Sequence, residues 1–157
     1  MLEIYYGDAK YKNRLCAGAA IRAAIKQKNV LFVSFMSVDP QSDKLLCSRE
    51  PNIILMQPDM PVTPEELSDE KRAQLSRVIR EFFDKAIRMA LTFKYQVLLL
   101  DRIFDVISAD LLSSSEVYEF LSDAPDMLEI ICTGHEPEQR FLALADESIM
   151  VTETHVE

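Results

Sequence analysis

The sequence predicts an α/β protein of three layers, a mostly parallel sheet with helices on both faces. Short apolar runs of strand length at residues 2–6, 30–36, 53–56, 96–101 and 128–132 alternate with helical patterns. The runs at 30–36 and 96–101 are almost unbroken, as in strands covered on both sides. A chain of 157 residues, 48% hydrophobic and 27% charged, suits one domain spanning 1–157 with a full core.

Each element has a local reason. Residues 15–28 form an Ala-rich helix whose small side chains allow close approach to a sheet, with Lys26 and Lys28 in its last turn, where cations suit the helix dipole. Residues 37–51 are polar and turn-rich and read as a loop. Pro58, Pro61 and Pro64 forbid regular pairing after the third strand. Thr63-Pro64-Glu65-Glu66 has the form of a capping box, and Ser68 offers a second helix start. From there Leu75, Val78, Ile79, Phe82, Phe83, Ala86, Ile87 and Ala90 recur at helical spacing, which marks a core-facing stripe. Ser113 and Glu116 open a further helix, residues 137–145 another, and residues 148–151 a last strand.

Composition narrows the function. A net charge of −9 argues against binding nucleic acid, which demands clustered Lys and Arg. The locally basic stretch from Lys10 to Arg14 suits a small anionic ligand better than a polymer. Cys16, Cys47 and Cys132 show no metal-binding or disulfide spacing and read as small buried residues in a reducing compartment. With no secretory signal and no apolar run long enough to span a bilayer, the expected location is cytoplasmic, with no membrane partner.

Ligands of parallel sheets sit beyond the carboxyl ends of the strands. On that edge the sequence gathers Gly7, the loop to Lys12, Ser37, Asp101 and the turn from Thr133 to His135. The order strand, lysine-bearing loop, helix is that of a phosphate cradle, in which backbone N–H groups and the helix dipole attract an anion. The strict pattern G-x-x-x-x-G-K-[ST] is not met, because Tyr11 precedes Lys12 and Asn13 follows it. Lys12 is the candidate for phosphate contact, against the alternative of a solvated loop lysine. Asp101 closes its strand with an acid on that edge, where a helix cap or a partner for Arg102 would be its structural role. His135 could meet a phosphate or be structural. No Ser/His/Asp or Cys/His set is present, so no catalytic residue is assigned.

Taken together, these segments resemble the P-loop ATP:corrinoid adenosyltransferases, which move the adenosyl group of ATP onto the cobalt of a reduced corrinoid. Gly7-Asp8-Ala9-Lys10-Tyr11-Lys12-Asn13-Arg14 falls on the family's G-D-G-K-G-K-T-T, and Ala17 to Ala23 on its A-x-G-x-A-x-R-A. Leu100-Asp101-Arg102-Ile103 resembles L-D-E-I, Thr133-Gly134-His135 resembles T-G-R, and Ala145-Asp146 matches a terminal A-D. The resemblance covers nearly the whole chain in order. It implies a P-loop NTPase-like fold, ATP and a corrinoid as substrates, Mg²⁺ as cofactor, and a homodimer as commonly found in the family. Gly7, Lys10, Lys12, Asn13, Arg14 and His135 would then face the nucleotide, and Asp101 the metal. The departures fall where chemistry is expected: Ala9 and Tyr11 for glycines, Asn13 for a hydroxyl residue, Arg102 for an acid, Ser37 and His135 for a lysine and an arginine. An alternative is a protein that keeps the fold and binds a nucleotide, a corrinoid or a protein partner without catalysis.

Overall fold

The computed structural model describes residues 1–8, 12–36, 40–58 and 68–154, with residues 12–14 described by their backbone alone. Six strands, β1 (Leu2–Tyr6), β2 (Val30–Ser34), β3 (Ile53–Met56), β4 (Val97–Asp101), β5 (Glu129–Gly134) and β6 (Glu147–Met150), form one sheet in the order β3-β2-β4-β5-β1-β6. Every pairing among the described residues is parallel, in keeping with the mostly parallel sheet expected. Among the described residues the helices are α1 (Lys12–Ile25), α2 (Pro40–Ser48), α3 (Asp69–Ala90), α4 (Ile103–Ser108), α5 (Ser114–Asp123) and α6 (Gln139–Leu144).

The two faces of the sheet are covered differently. On one, Ile4, Leu31, Val33, Leu98, Leu100 and Ile130 pack with Ile79 and Phe83 of α3, Phe104 of α4, Val117 of α5 and Phe141 of α6. On the other, Phe32, Val97, Leu99 and Ile131 meet Cys16, Ala19, Ala20 and Ala24 of α1 and Cys47 of α2. Alternation of side chains along each strand divides the residues between these faces. The three-layer, P-loop NTPase-like architecture expected from the sequence is therefore present.

Several local readings need correction. The stretch taken for a loop contains α2: Pro40 occupies the first helical position and Asp43 the first turn, both favourable there, and Cys47 is buried. Helix α1 stops at Ile25 because Gln27 adopts φ 62; the N–H of Lys28 then reaches the Ala23 carbonyl at 3.1 Å. This is a left-handed cap, and it leaves Lys26 and Lys28 beyond the last turn. The capping box at 63–66 lies outside the described residues, and α3 begins from Ser68, whose Oγ accepts the Lys71 N–H. Along its stripe Ile79, Phe83, Ala86 and Ala90 are buried, while Val78 is exposed. The six-residue helix α4 has no counterpart in the periodicity.

The predicted cap of α5 is formed, with Ser113 Oγ accepting the Glu116 N–H at 3.4 Å. Ser113→Ala is expected to cost about 1 kcal/mol, a fall in Tm of about 2–4 °C for a chain of this size. An unchanged melting curve would mean that this bond contributes nothing in solution.

Candidate functional site

Four polar side chains interrupt the apolar surface at the carboxyl ends of the strands. Tyr5, Thr133, Asp101 and Ser34 stand on neighbouring strands β1, β5, β4 and β2, with Tyr5 in register with Thr133 and Ser34 in register with Asp101. Each lies two residues on from a side chain, or belongs itself, to the α1-facing set, so all four face α1. Ser34, Asp101 and Thr133 are buried. Burial of polar groups in this row is costly unless they are paired, which singles the row out from the rest of the core.

The partners are specific. Thr133 Oγ1 donates to Asp101 Oδ1 at 2.8 Å and accepts the Arg102 N–H at 2.8 Å. Burial pushes the Asp101 carboxyl up from 3.8 to about 6; the Thr133 hydroxyl and the Arg102 charge oppose the rise, and Asp43 of α2 and Asp105 of α4 add to it. Asp101 is thus neither a helix cap nor a simple ion-pair partner of Arg102. Arg102 itself sits at φ 61, ψ 27, the left-handed turn between β4 and α4. Ser34 Oγ has no hydrogen-bond partner among the described residues. A lone buried hydroxyl next to a buried carboxylate offers two oxygens to a cation or its hydration water.

The other predicted residues come together in part. Gly7 and His135 meet directly: the Gly7 N–H donates to the His135 carbonyl at 3.0 Å, and His135 Nδ1 lies 3.0 Å from the Gly7 carbonyl oxygen. A carbonyl only accepts, so Nδ1 carries the proton. Gly7 has φ 126, and a Cβ there would collide with the Val151 carbonyl. Only glycine fits without strain. Lys12 is the first residue of α1, with Asn13 and Arg14 in its first turn. Their backbone N–H groups form the free end of a helix of 14 residues. Helix α1 packs on β4, β5 and β2. Cys16, one turn in, is fully buried, and its thiol is held well above the usual range by burial and then by the Asp101 charge. The beginning of α1 therefore overlies the acid. Lys10, Tyr11 and Ser37 lie outside the described residues.

Sequence reasoning missed Ser34, Asp43 and Asp105. A signal for Ser34 was present, a lone serine within the apolar run at 30–36. Asp43 and Asp105 had none, since both depend on where α2 and α4 pack. Burial raises the Cys47 thiol to about 11 and keeps Cys132 protonated as well. All three thiols are buried, as the sequence reading expects.

No three His, Cys, Asp or Glu side chains among the described residues are grouped as a metal-ligand set. Mg²⁺ does not need one: it takes one or two carboxylates and completes its shell with substrate phosphates and water. Asp101 beside Ser34 fits that requirement. No helix among the described residues is long and apolar enough to cross a membrane. No curated protein matches the chain. The family model described as ATP:corrinoid adenosyltransferase BtuR/CobO/CobP matches residues 1–156. With a match of that extent laid over a parallel sheet, a helix end and a buried acid in the expected order, the chain belongs to the ATP:corrinoid adenosyltransferase family.

Proposed function

We propose that this chain is an active enzyme that transfers the 5′-deoxyadenosyl group of ATP to the cobalt of a reduced corrinoid, a cob(I)alamin or cob(I)yrinic acid a,c-diamide type of substrate. The observation that carries the reading is the polar row Ser34, Asp101 and Thr133 beneath the start of α1, on the edge where the loop from Gly7 to Lys12 leaves the sheet. Fold maintenance alone gives no reason to bury a carboxylate there, where its charge costs stability at neutral pH.

In this reading the triphosphate lies along the first turn of α1, with Lys12 and Lys10 supplying point charges and Arg14 adding to the positive field. Gly7 and His135 shape the mouth of the loop. Asp101, with the Ser34 hydroxyl beside it, would hold Mg²⁺ or its hydration water, and that ion would neutralise charge on the departing triphosphate. The electron pair of the reduced cobalt attacks the 5′ carbon, the C5′–O bond breaks, and the triphosphate leaves with that bonding pair. The protein's part is to hold the three atoms in line and to stabilise the leaving charge. Arg102, where family members carry an acid, would lend a further cation to the same task.

Incubation with ATP, Mg²⁺ and a chemically reduced corrinoid under anaerobic conditions should give the alkylated corrinoid, seen in its absorption spectrum. No product at high enzyme concentration would overturn the reading. Lys12→Ala is expected to weaken ATP binding by at least about tenfold, the size of one lost charged contact of about 1.4 kcal/mol. Titration calorimetry measures it; an unchanged affinity would leave the loop lysine as a solvated surface group.

A further inference from the structure

We propose that Asp105, which lies outside the phosphate-side loops, is a positioning residue that sets the direction of the nucleotide loop by gripping His135, which in turn grips Gly7. The inference rests on the transferase reading for its activity arm only.

The relay is built from three elements in series. Asp105 lies on α4, a helix that cannot shift easily, because Ile103, Phe104, Val106 and Ile107 are all buried. Its Oδ1 accepts the His135 N–H at 2.7 Å. The residue before, Gly134, is pressed against Phe104, so the exit of β5 is fixed to α4 at two successive positions. His135 then holds Gly7 twice, accepting its N–H and donating Nδ1–H to its carbonyl. These two groups belong to the peptide planes on either side of the Gly7 Cα. Fixing both planes at φ 126 fixes the heading of the chain as it leaves β1 for Lys12. Exposed hydrogen bonds of this kind add little stability each. Their effect is on geometry, and small misplacements of a loop that binds substrate are expensive in rate.

The sequence offers a reason for the arrangement. Where family members are expected to carry an arginine, this chain has His135. The imidazole is short enough to turn back onto the Gly7 carbonyl, and Asp105 supplies the acceptor that holds its backbone in place.

The test uses the full chain without nucleotide and then with it. In ¹H–¹⁵N spectra, Asp105→Ala should shift the Gly7 amide and increase its hydrogen exchange by about tenfold, whereas Asp105→Asn, which keeps Oδ1, should leave it near its wild-type position. His135→Gln should reproduce the Asp105→Ala change at Gly7, while His135→Asn, whose side-chain N–H stands where Nδ1 stood, should not. With ATP, Asp105→Ala should raise KM for ATP about tenfold with Tm nearly unchanged, and Asp105→Asn should restore it. A Gly7 amide indifferent to Asp105→Ala, or an equal defect in Asp105→Asn, would overturn the relay. Movement of the Gly7 amide in a protein that binds no ATP would sustain the relay and reject the transferase reading instead.

Discussion

Asp101→Asn is expected to make the protein more stable and less active at neutral pH. The carboxyl titrates near 6 in the fold and near 3.9 in an unfolded chain. Between these values the folded state holds the proton more tightly, so stability falls as pH rises from about 4 to about 6. Above that window the buried charge costs about 3 kcal/mol, an order-of-magnitude figure. Asn accepts the Thr133 hydroxyl through its own Oδ1 and carries no charge to desolvate. Denaturant unfolding at a series of pH values should show the mutant gaining on the wild type through that window, with the difference vanishing below pH 4. Carboxylates remote from the site titrate equally in both proteins, so the difference reports Asp101 together with its coupled neighbours Asp43 and Asp105. Adenosyl transfer should drop by about 100-fold, as when one charge-stabilising group is removed from an active site. Parallel stability curves for the two proteins would mean that the acid is ionised without penalty, and the polar row would lose its functional significance.

Gly134→Ala should cost about 3 kcal/mol, at the upper end for overpacking, and lower Tm by about 6–12 °C. A Cβ on Gly134 would stand 3.0 Å from Phe104 Cδ2 and 3.1 Å from Phe104 Cα, and would collide with its Cβ. Rotating the ring does not relieve contact with the Cα, so the backbone of α4 must move. Phe104 is fully buried, with its ring 5.2 Å from that of Phe141. The displacement would therefore reach α6 on one side and Asp105 on the other. Thermal melts followed by circular dichroism measure the loss. A mutant that melts with the wild type would show that α4 is not tightly seated on β5, and would weaken the relay to Gly7 as well.

Much of the architecture was legible because strands covered on both faces must be apolar throughout. Val30–Ser34 and Val97–Asp101 carry that signature without ambiguity. The stripe of α3 and the serine caps at Ser68 and Ser113 were equally plain, since they depend on residues near in sequence. Helix α2 was hidden by its polar composition, and α4 by its length, as six residues give less than two turns of periodicity. The site divides along the same line. That Gly7, Asp101 and His135 share one edge was legible because the carboxyl ends of parallel strands converge there. The hydrogen bonds of Asp105 and Thr133, and the lone hydroxyl of Ser34, arise only from packing between distant segments.

The unequal padding of the two sheet faces has a consequence for behaviour in solution. Helices α1 and α2 bring mainly alanine and cysteine to their contact with the sheet, whereas the helices of the far side bring phenylalanine, isoleucine, leucine and valine. Less apolar area is withdrawn from water under the thin cover, so partial opening should begin there. The helix that starts at Lys12 would loosen ahead of the Phe83 side, and a ligand that binds only the closed form would hold this flap shut.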